Sequence, residues 1–169
     1  MDVWDAICSK RAVRNFTEQP LPEDAVQRIL DAGRRAQSSK NTQPWHFIAV
    51  QQRDTLQELS KTGDYMGHVA GAALCVVIVT AAPDDGFFKV TFDCGQSAAY
   101  MQLAALEIGV GSCLGTIYQP ERVREILGFP ADMHAQFVIS FGYPAPQQRQ
   151  GAGKAGRRTF DEVVHFDRW

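Results

Sequence analysis

The run Ala72-Ala73-Leu74-Cys75-Val76-Val77-Ile78-Val79 is unbroken, apolar and rich in β-branched residues. Without polar alternation, it predicts a central strand covered on both faces. Shorter strands are predicted over 46–50 and 136–141. Ala25, Val26, Ile29, Leu30 and Gly33 recur at helical spacing. They follow Pro22-Glu23-Asp24, which puts proline in the first turn and acids at the positive end of the helix dipole. Further helices are predicted over 2–9, with Val3, Ile7 and Cys8 inward, over 53–61 and over 119–127. The helix predicted over 93–108 is unusual: Ala98, Ala99, Tyr100, Met101, Leu103, Ala104, Ala105 and Leu106 leave it almost no polar face. A helix apolar nearly all round must be covered on every side. In so short a chain, a partner subunit is the expected cover.

Length and composition narrow this picture. A chain of 169 residues is most simply one domain, 1–169, with a sizeable core. Its 45% hydrophobic and 21% charged content is ordinary for a soluble globular protein. A net charge of −2 argues against nucleic-acid binding driven by charge. No apolar run is long enough to span a bilayer. Cys8, Cys75, Cys94 and Cys113 form neither a CxxC pair nor a zinc-ligand spacing, so a reducing, cytoplasmic location is expected. Composition shifts after Pro144, which predicts a flexible stretch over about 145–158. The arm 159–169 then carries Phe160, Val163, Val164, Phe166 and Trp169, apolar groups that a second subunit would cover.

Ser38-Ser39-Lys40-Asn41-Thr42-Gln43-Pro44-Trp45 links a predicted helix to a predicted strand. By composition alone it is a turn. Asn and Gln also donate and accept at once, which suits a heterocycle edge alternating C=O and N–H groups. Two basic clusters, Lys10-Arg11-Ala12-Val13-Arg14 and Lys154-Ala155-Gly156-Arg157-Arg158, are solvated patches taken singly. Together they could converge on one phosphate ester, because the Arg fork matches phosphate oxygens. The run from Gly109 to Gly115 follows a helix and does not open one, so it is no dinucleotide fingerprint. Gly109 reads as a helix cap; Gly111 and Gly115 allow close backbone approach.

The serines lack a nucleophile context. His46, His68, His134 and His165 form no pattern and read as structural. Asp84-Asp85-Gly86 reads as a turn and not a metal site. Binding groups without an acid–base team fit an enzyme whose cofactor carries the chemistry.

Taken in order, these motifs resemble the FMN-dependent nitroreductase family of NAD(P)H-dependent flavin oxidoreductases. The family's Arg-Arg-Ser-x-Arg-x-Phe corresponds to Lys10-Arg11-Ala12-Val13-Arg14-Asn15-Phe16. Its Ser-Ser-x-Asn-x-Gln-Pro-Trp loop corresponds to Ser38–Trp45, its helix and Gly-x-Gly-Ser-Cys to Gln96–Cys113, and its closing Arg-x-x-x-x-Glu-Val-Val to Arg157–Val164. The resemblance implies an α+β fold, with a central mixed β-sheet flanked by helices. It also implies an intertwined homodimer with an exchanged C-terminal arm and FMN at the interface.

Lys10, Arg11, Ala12, Arg14, Arg157 and Arg158 would then serve the phosphate and ribityl end. Ser38, Ser39, Asn41 and Gln43 of the other subunit would reach the ribityl chain and ring edge. Backbone around Leu114, Gly115 and Thr116 would approach the isoalloxazine, and no metal is implied. The implied activity passes a hydride from NAD(P)H through flavin N5 to a small acceptor such as a nitroaromatic, quinone or activated alkene, by a ping-pong scheme. Competing readings are a specialised branch (flavin fragmentation or natural-product tailoring) and a non-catalytic FMN-binding or sensing protein. This chain departs from the family in Lys10 for Arg, in Ala12 for Ser, and in Tyr65 and His68 where some members carry Asn and Lys.

Overall fold

The computed structural model describes residues 1–81, 87–146 and 156–169. Among the described residues, five α-helices and four strands follow in the order α1 (Val3–Ser9), α2 (Glu23–Arg34), β1 (His46–Val50), α3 (Arg53–Leu59), β2 (Leu74–Ala81), α4 (Phe87–Glu107), β3 (Gly111–Thr116), α5 (Pro120–Leu127) and β4 (Met133–Gly142). The strands form one sheet in the order β1-β2-β4-β3. The fold class is α+β. The expected mixed sheet is antiparallel throughout these four strands, and the parallel element is an isolated bridge between Ala12 and Ser112 at its edge.

The apolar run forms β2, and its alternate residues feed two cores. Leu74, Val76 and Ile78 pack with Ile139 and Phe141 of β4, Ile29 of α2, and Ala98, Met101 and Ala105 of α4. Cys75, Val77 and Val79 pack on the other face with Val138 of β4, Leu56 and Leu59 of α3, and Val123 of α5. Each fully buried Val, Leu, Ile, Phe or Met among them contributes roughly 1.5–3 kcal/mol. Helices on both faces explain why β2 shows no polar alternation.

α4 buries Ala98, Met101 and Ala105 but leaves Phe92 and Tyr100 exposed, and Gly109 caps its end with a φ of 75°. α1 corrects the expectation of an inward Val3, Ile7 and Cys8. Only Ala6 is buried there, while Val3, Trp4 and Ile7 face outward. Among the described residues, that apolar face is left largely uncovered. The glycine-rich run read as a backbone-approach segment is strand β3, zipped to β4 from Gly111↔Gly142 to Thr116↔Phe137. Asp84-Asp85-Gly86 and most of the stretch 145–158 lie outside the described residues.

Candidate functional site

β3 is an edge strand, and the first basic cluster is laid along it. Asp2 caps α1 by accepting the Asp5 N–H at 2.8 Å. After α1, Ala12 bridges Ser112 in parallel and the Val13 N–H donates to the Ser112 carbonyl at 2.9 Å. This approach needs Gly111: a side-chain carbon there would lie 2.8 Å from the Val13 Cβ, closer than packed atoms tolerate.

The segment brings Lys10, Arg14, Cys113 and His68 together. Burial pushes the Lys10 ammonium below its ordinary value, Cys113 opposes that shift, and the Arg14 cation adds to it. Burial raises the Cys113 thiol against the pull of Arg14 and Lys10, so this cysteine is no thiolate nucleophile. Arg11 is partly committed elsewhere, donating to the carbonyls of Cys8 and Lys10 at 2.8 Å each. Ala12 is exposed and brings no hydroxyl.

Beside this segment lies a cleft of about 350 Å³ lined by Arg14, Asn15, Tyr65, Gly67, His68 and Leu114. Tyr65 and Leu114 are exposed on it, as is Thr116 farther along β3, whereas Gly115 is buried. His68 is buried. Its ring Nδ1 lies 2.7 Å from Ser140 Oγ, which itself donates to the Cys113 carbonyl at 3.4 Å. A Ser140 hydroxyl turned to Cys113 accepts from an Nδ1–H, and one turned to Nδ1 leaves the proton on His68 Nε2. Nε2 is buried without a hydrogen-bond partner among the described residues. Burial, and secondarily the Arg14 cation, pushes the His68 pKa down to about 4.

The amide loop is pinned to α4, where the Ser39 N–H donates to Asp93 Oδ2 at 2.9 Å. Ser38 Oγ accepts the Gln43 N–H at 2.9 Å. Lys40, Asn41 and Gln43 hold left-handed backbone with φ of 53°, 56° and 47°, a conformation that costs non-glycine residues of order 1 kcal/mol each and recurs at ligand clamps. Their side chains are exposed. The loop does not share the cleft in one protomer. It meets α4 at Asp93, whereas the basic segment meets α4 near Gln102, whose Nε2 donates to Ser112 Oγ at 3.2 Å. Those points lie about 14 Å apart along the helix.

Arg157 and Arg158 are exposed; Lys154 lies outside the described residues. A larger hollow of about 710 Å³ lies between α2 and β1, lined by Gln27, Leu30, Asp31, Arg34, Gln43, Trp45 and Phe47. Its charged groups, Asp31 and Arg34, pair with each other, so it is a surface for packing more than for chemistry. Among the described residues no His, Cys, Asp and Glu cluster could hold a metal, and no helix is long and apolar enough to cross a membrane.

By pattern alone His68 read as structural, and only the family resemblance set it, with Tyr65, where some members carry Asn and Lys; Ser140 was not singled out. The available signal was a lone hydroxyl in the apolar run Val138-Ile139-Ser140-Phe141. A buried polar group of that kind needs a partner.

The fold is that of nitroreductase-like α+β proteins. The sequence profile of the Nitroreductase family matches residues 7–63 and 60–143. A solved structure of an FMN-dependent nitroreductase from Clostridium difficile superposes with a TM-score of 0.82 at 25% identity, covering 99% of this chain and 100% of that one. An NADPH-dependent oxidoreductase of Staphylococcus aureus is 26% identical over 99% of this chain and 74% of its own length. A protein of Archaeoglobus fulgidus, provisionally named NADH dehydrogenase/NAD(P)H nitroreductase, is 29% identical over 96% of each chain. The chain belongs to the Nitroreductase family.

Proposed function

We propose that this protein is an NAD(P)H-dependent FMN oxidoreductase that works in the cytoplasm as a homodimer. The observation that carries the reading is the basic segment Lys10–Arg14 hung on edge strand β3 beside the cleft of Arg14, His68, Tyr65 and Leu114. The FMN dependence of the Clostridium difficile relative and the NADPH dependence of the Staphylococcus aureus relative support it.

The residues fit such a cofactor. Lys10 and Arg14, joined by the free N–H groups of Arg11 and by Arg157 and Arg158 of the arm, offer the charge a phosphate needs. Ala12 lends only backbone. Leu114 and Thr116 flank Gly115 along a strand that a planar ring can approach. When bound, FMN supplies hydride transfer from NAD(P)H to a small acceptor: a nitroaromatic, a quinone or an activated alkene. Tyr65 and Leu114 lie exposed at the rim of the cleft. The described residues around the cleft hold no acid–base pair, so the protein's part is binding, orientation and electrostatics.

Two copies complete the site. The ~14 Å separation along α4 keeps Ser38, Ser39, Asn41 and Gln43 from the cleft of their own chain. The outward apolar faces of α1 and α4 and the exposed Phe160, Phe166 and Trp169 support an exchange that brings a second loop in. Titration of the flavin-free protein with FMN tests the reading. One tightly bound FMN per chain is expected, and no binding would overturn it.

A further inference from the structure

We propose that Asp93 of α4 is a positioning residue: it holds the Ser38–Gln43 loop in the shape that completes the flavin site of the partner subunit. The inference rests on the flavin reading above and deepens it.

A row of hydrogen bonds carries it. α4 has few polar side chains, yet Asp93, Gln96 and Ser97 lie three and four residues apart on one face and all reach the segment 33–39. Ser97 Oγ donates to the Gly33 carbonyl at 3.0 Å, Gln37 Nε2 donates to Gln96 Oε1 at 2.6 Å, and the Ser39 N–H donates to Asp93 Oδ2 at 2.9 Å. The end of α2 and the start of the loop are thereby fastened to α4 in register.

Of the three, Asp93 acts on the loop's own shape. Ser39 begins the single turn Ser39–Asn41, and the Ser38 side chain before it does not cap that turn. Ser38 Oγ accepts the Gln43 N–H instead, at 2.9 Å. The Asp93 carboxylate therefore supplies the missing acceptor from another element. It is 3% exposed, whereas Ser39, Lys40, Asn41 and Gln43 are exposed, so a buried anchor fixes a loop whose side chains stay free for a ligand. The left-handed backbone of Lys40, Asn41 and Gln43 persists only while such anchors over-determine it.

The test begins with FMN titration of Asp93→Leu, which is close to the carboxylate in size and removes the acceptor. The FMN dissociation constant should rise roughly tenfold. The urea midpoint should stay close to that of wild type, because water can reach the freed Ser39 N–H. Unchanged FMN affinity would overturn the role of Asp93 and leave the flavin reading intact. Failure of wild type to bind FMN would overturn both.

A mixed dimer separates positioning across the interface from damage to the subunit that carries the change. Asp93→Leu and Arg14→Ala chains with different affinity tags are co-expressed, and the doubly tagged dimer is purified. The Asp93→Leu chain keeps Arg14 in its own cleft, and the loop that meets this cleft comes from the chain with Asp93 intact. One site per dimer should then bind FMN with wild-type affinity, although neither homodimer has such a site. A mixed dimer without a wild-type site would overturn the proposal.

Asp93→Asn keeps an uncharged acceptor and should fall between wild type and Asp93→Leu, with about a threefold loss of affinity. If Asp93→Leu does not fold, unchanged affinity in Asp93→Asn would overturn the proposal.

Discussion

Val13 hangs the basic segment on the sheet: its N–H donates to the Ser112 carbonyl at 2.9 Å, and its side chain occupies the space above Gly111. A one-carbon side chain at 111 would meet the Val13 Cβ at 2.8 Å, so the segment would have to lift. Gly111→Ala is expected to destabilise the fold by about 1–3 kcal/mol and to weaken FMN binding by at least tenfold. Urea unfolding and flavin titration check this. A variant with wild-type flavin affinity would show that the perch of Lys10–Arg14 does not matter to the cofactor.

Removing charge from both clusters tests their convergence. Arg14→Ala with Arg157→Ala should release FMN on purification, because a phosphate dianion would face a depleted pocket. Each single variant should keep part of its flavin. The flavin-to-protein absorbance ratio reads the result, and a fully loaded double variant would remove these residues from the phosphate site.

The neutral state of His68 sets a pH dependence. Its folded pKa lies near 4, against about 6.5 in the unfolded chain. Between those values the unfolded state holds the extra proton. Stability from this group is therefore complete above pH 6.5, falls as pH drops toward 4, and changes no further below. Because the ring is not wholly shielded, the loss is on the order of 2 kcal/mol. Urea midpoints at pH 7.5 and 5 should differ less in His68→Gln than in wild type. The same pH slope in both proteins would contradict the assignment.

The C-terminal arm tests the dimer. Phe160, Phe166 and Trp169 are exposed on one protomer, and covering them against a second protomer would be stabilising. Deleting 159–169 should yield monomer by sedimentation and lower the flavin content several-fold. A dimer with full flavin would contradict arm exchange.

What the sequence revealed tracks how local each signal is. β2 was legible because burial on both faces removes polar residues from the run itself. α2 was legible because its buried stripe, Ala25, Ile29 and Gly33, recurs within the helix. β3 was not, since Gly111 and Gly115 have poor strand propensity and the strand exists through its pairing with β4. α1 was read the wrong way round because its apolar residues face out of the protomer, which periodicity alone does not reveal. Lys10 and Arg14 were legible as a charged cluster, but their perch on Ser112 joins segments about a hundred residues apart. The His68–Ser140 pair spans 72 residues of chain, and nothing near either residue announces the other.

The central claim is that FMN bound by this chain takes electrons from a nicotinamide nucleotide. The most direct measurement is the visible spectrum of the FMN-loaded protein under anaerobic conditions, before and after adding NADH or NADPH. Bleaching of the oxidised flavin band, reversed by a nitroaromatic or quinone, is the predicted result. A flavin that stays oxidised with both nucleotides would contradict the account and point to a binding role or another electron donor.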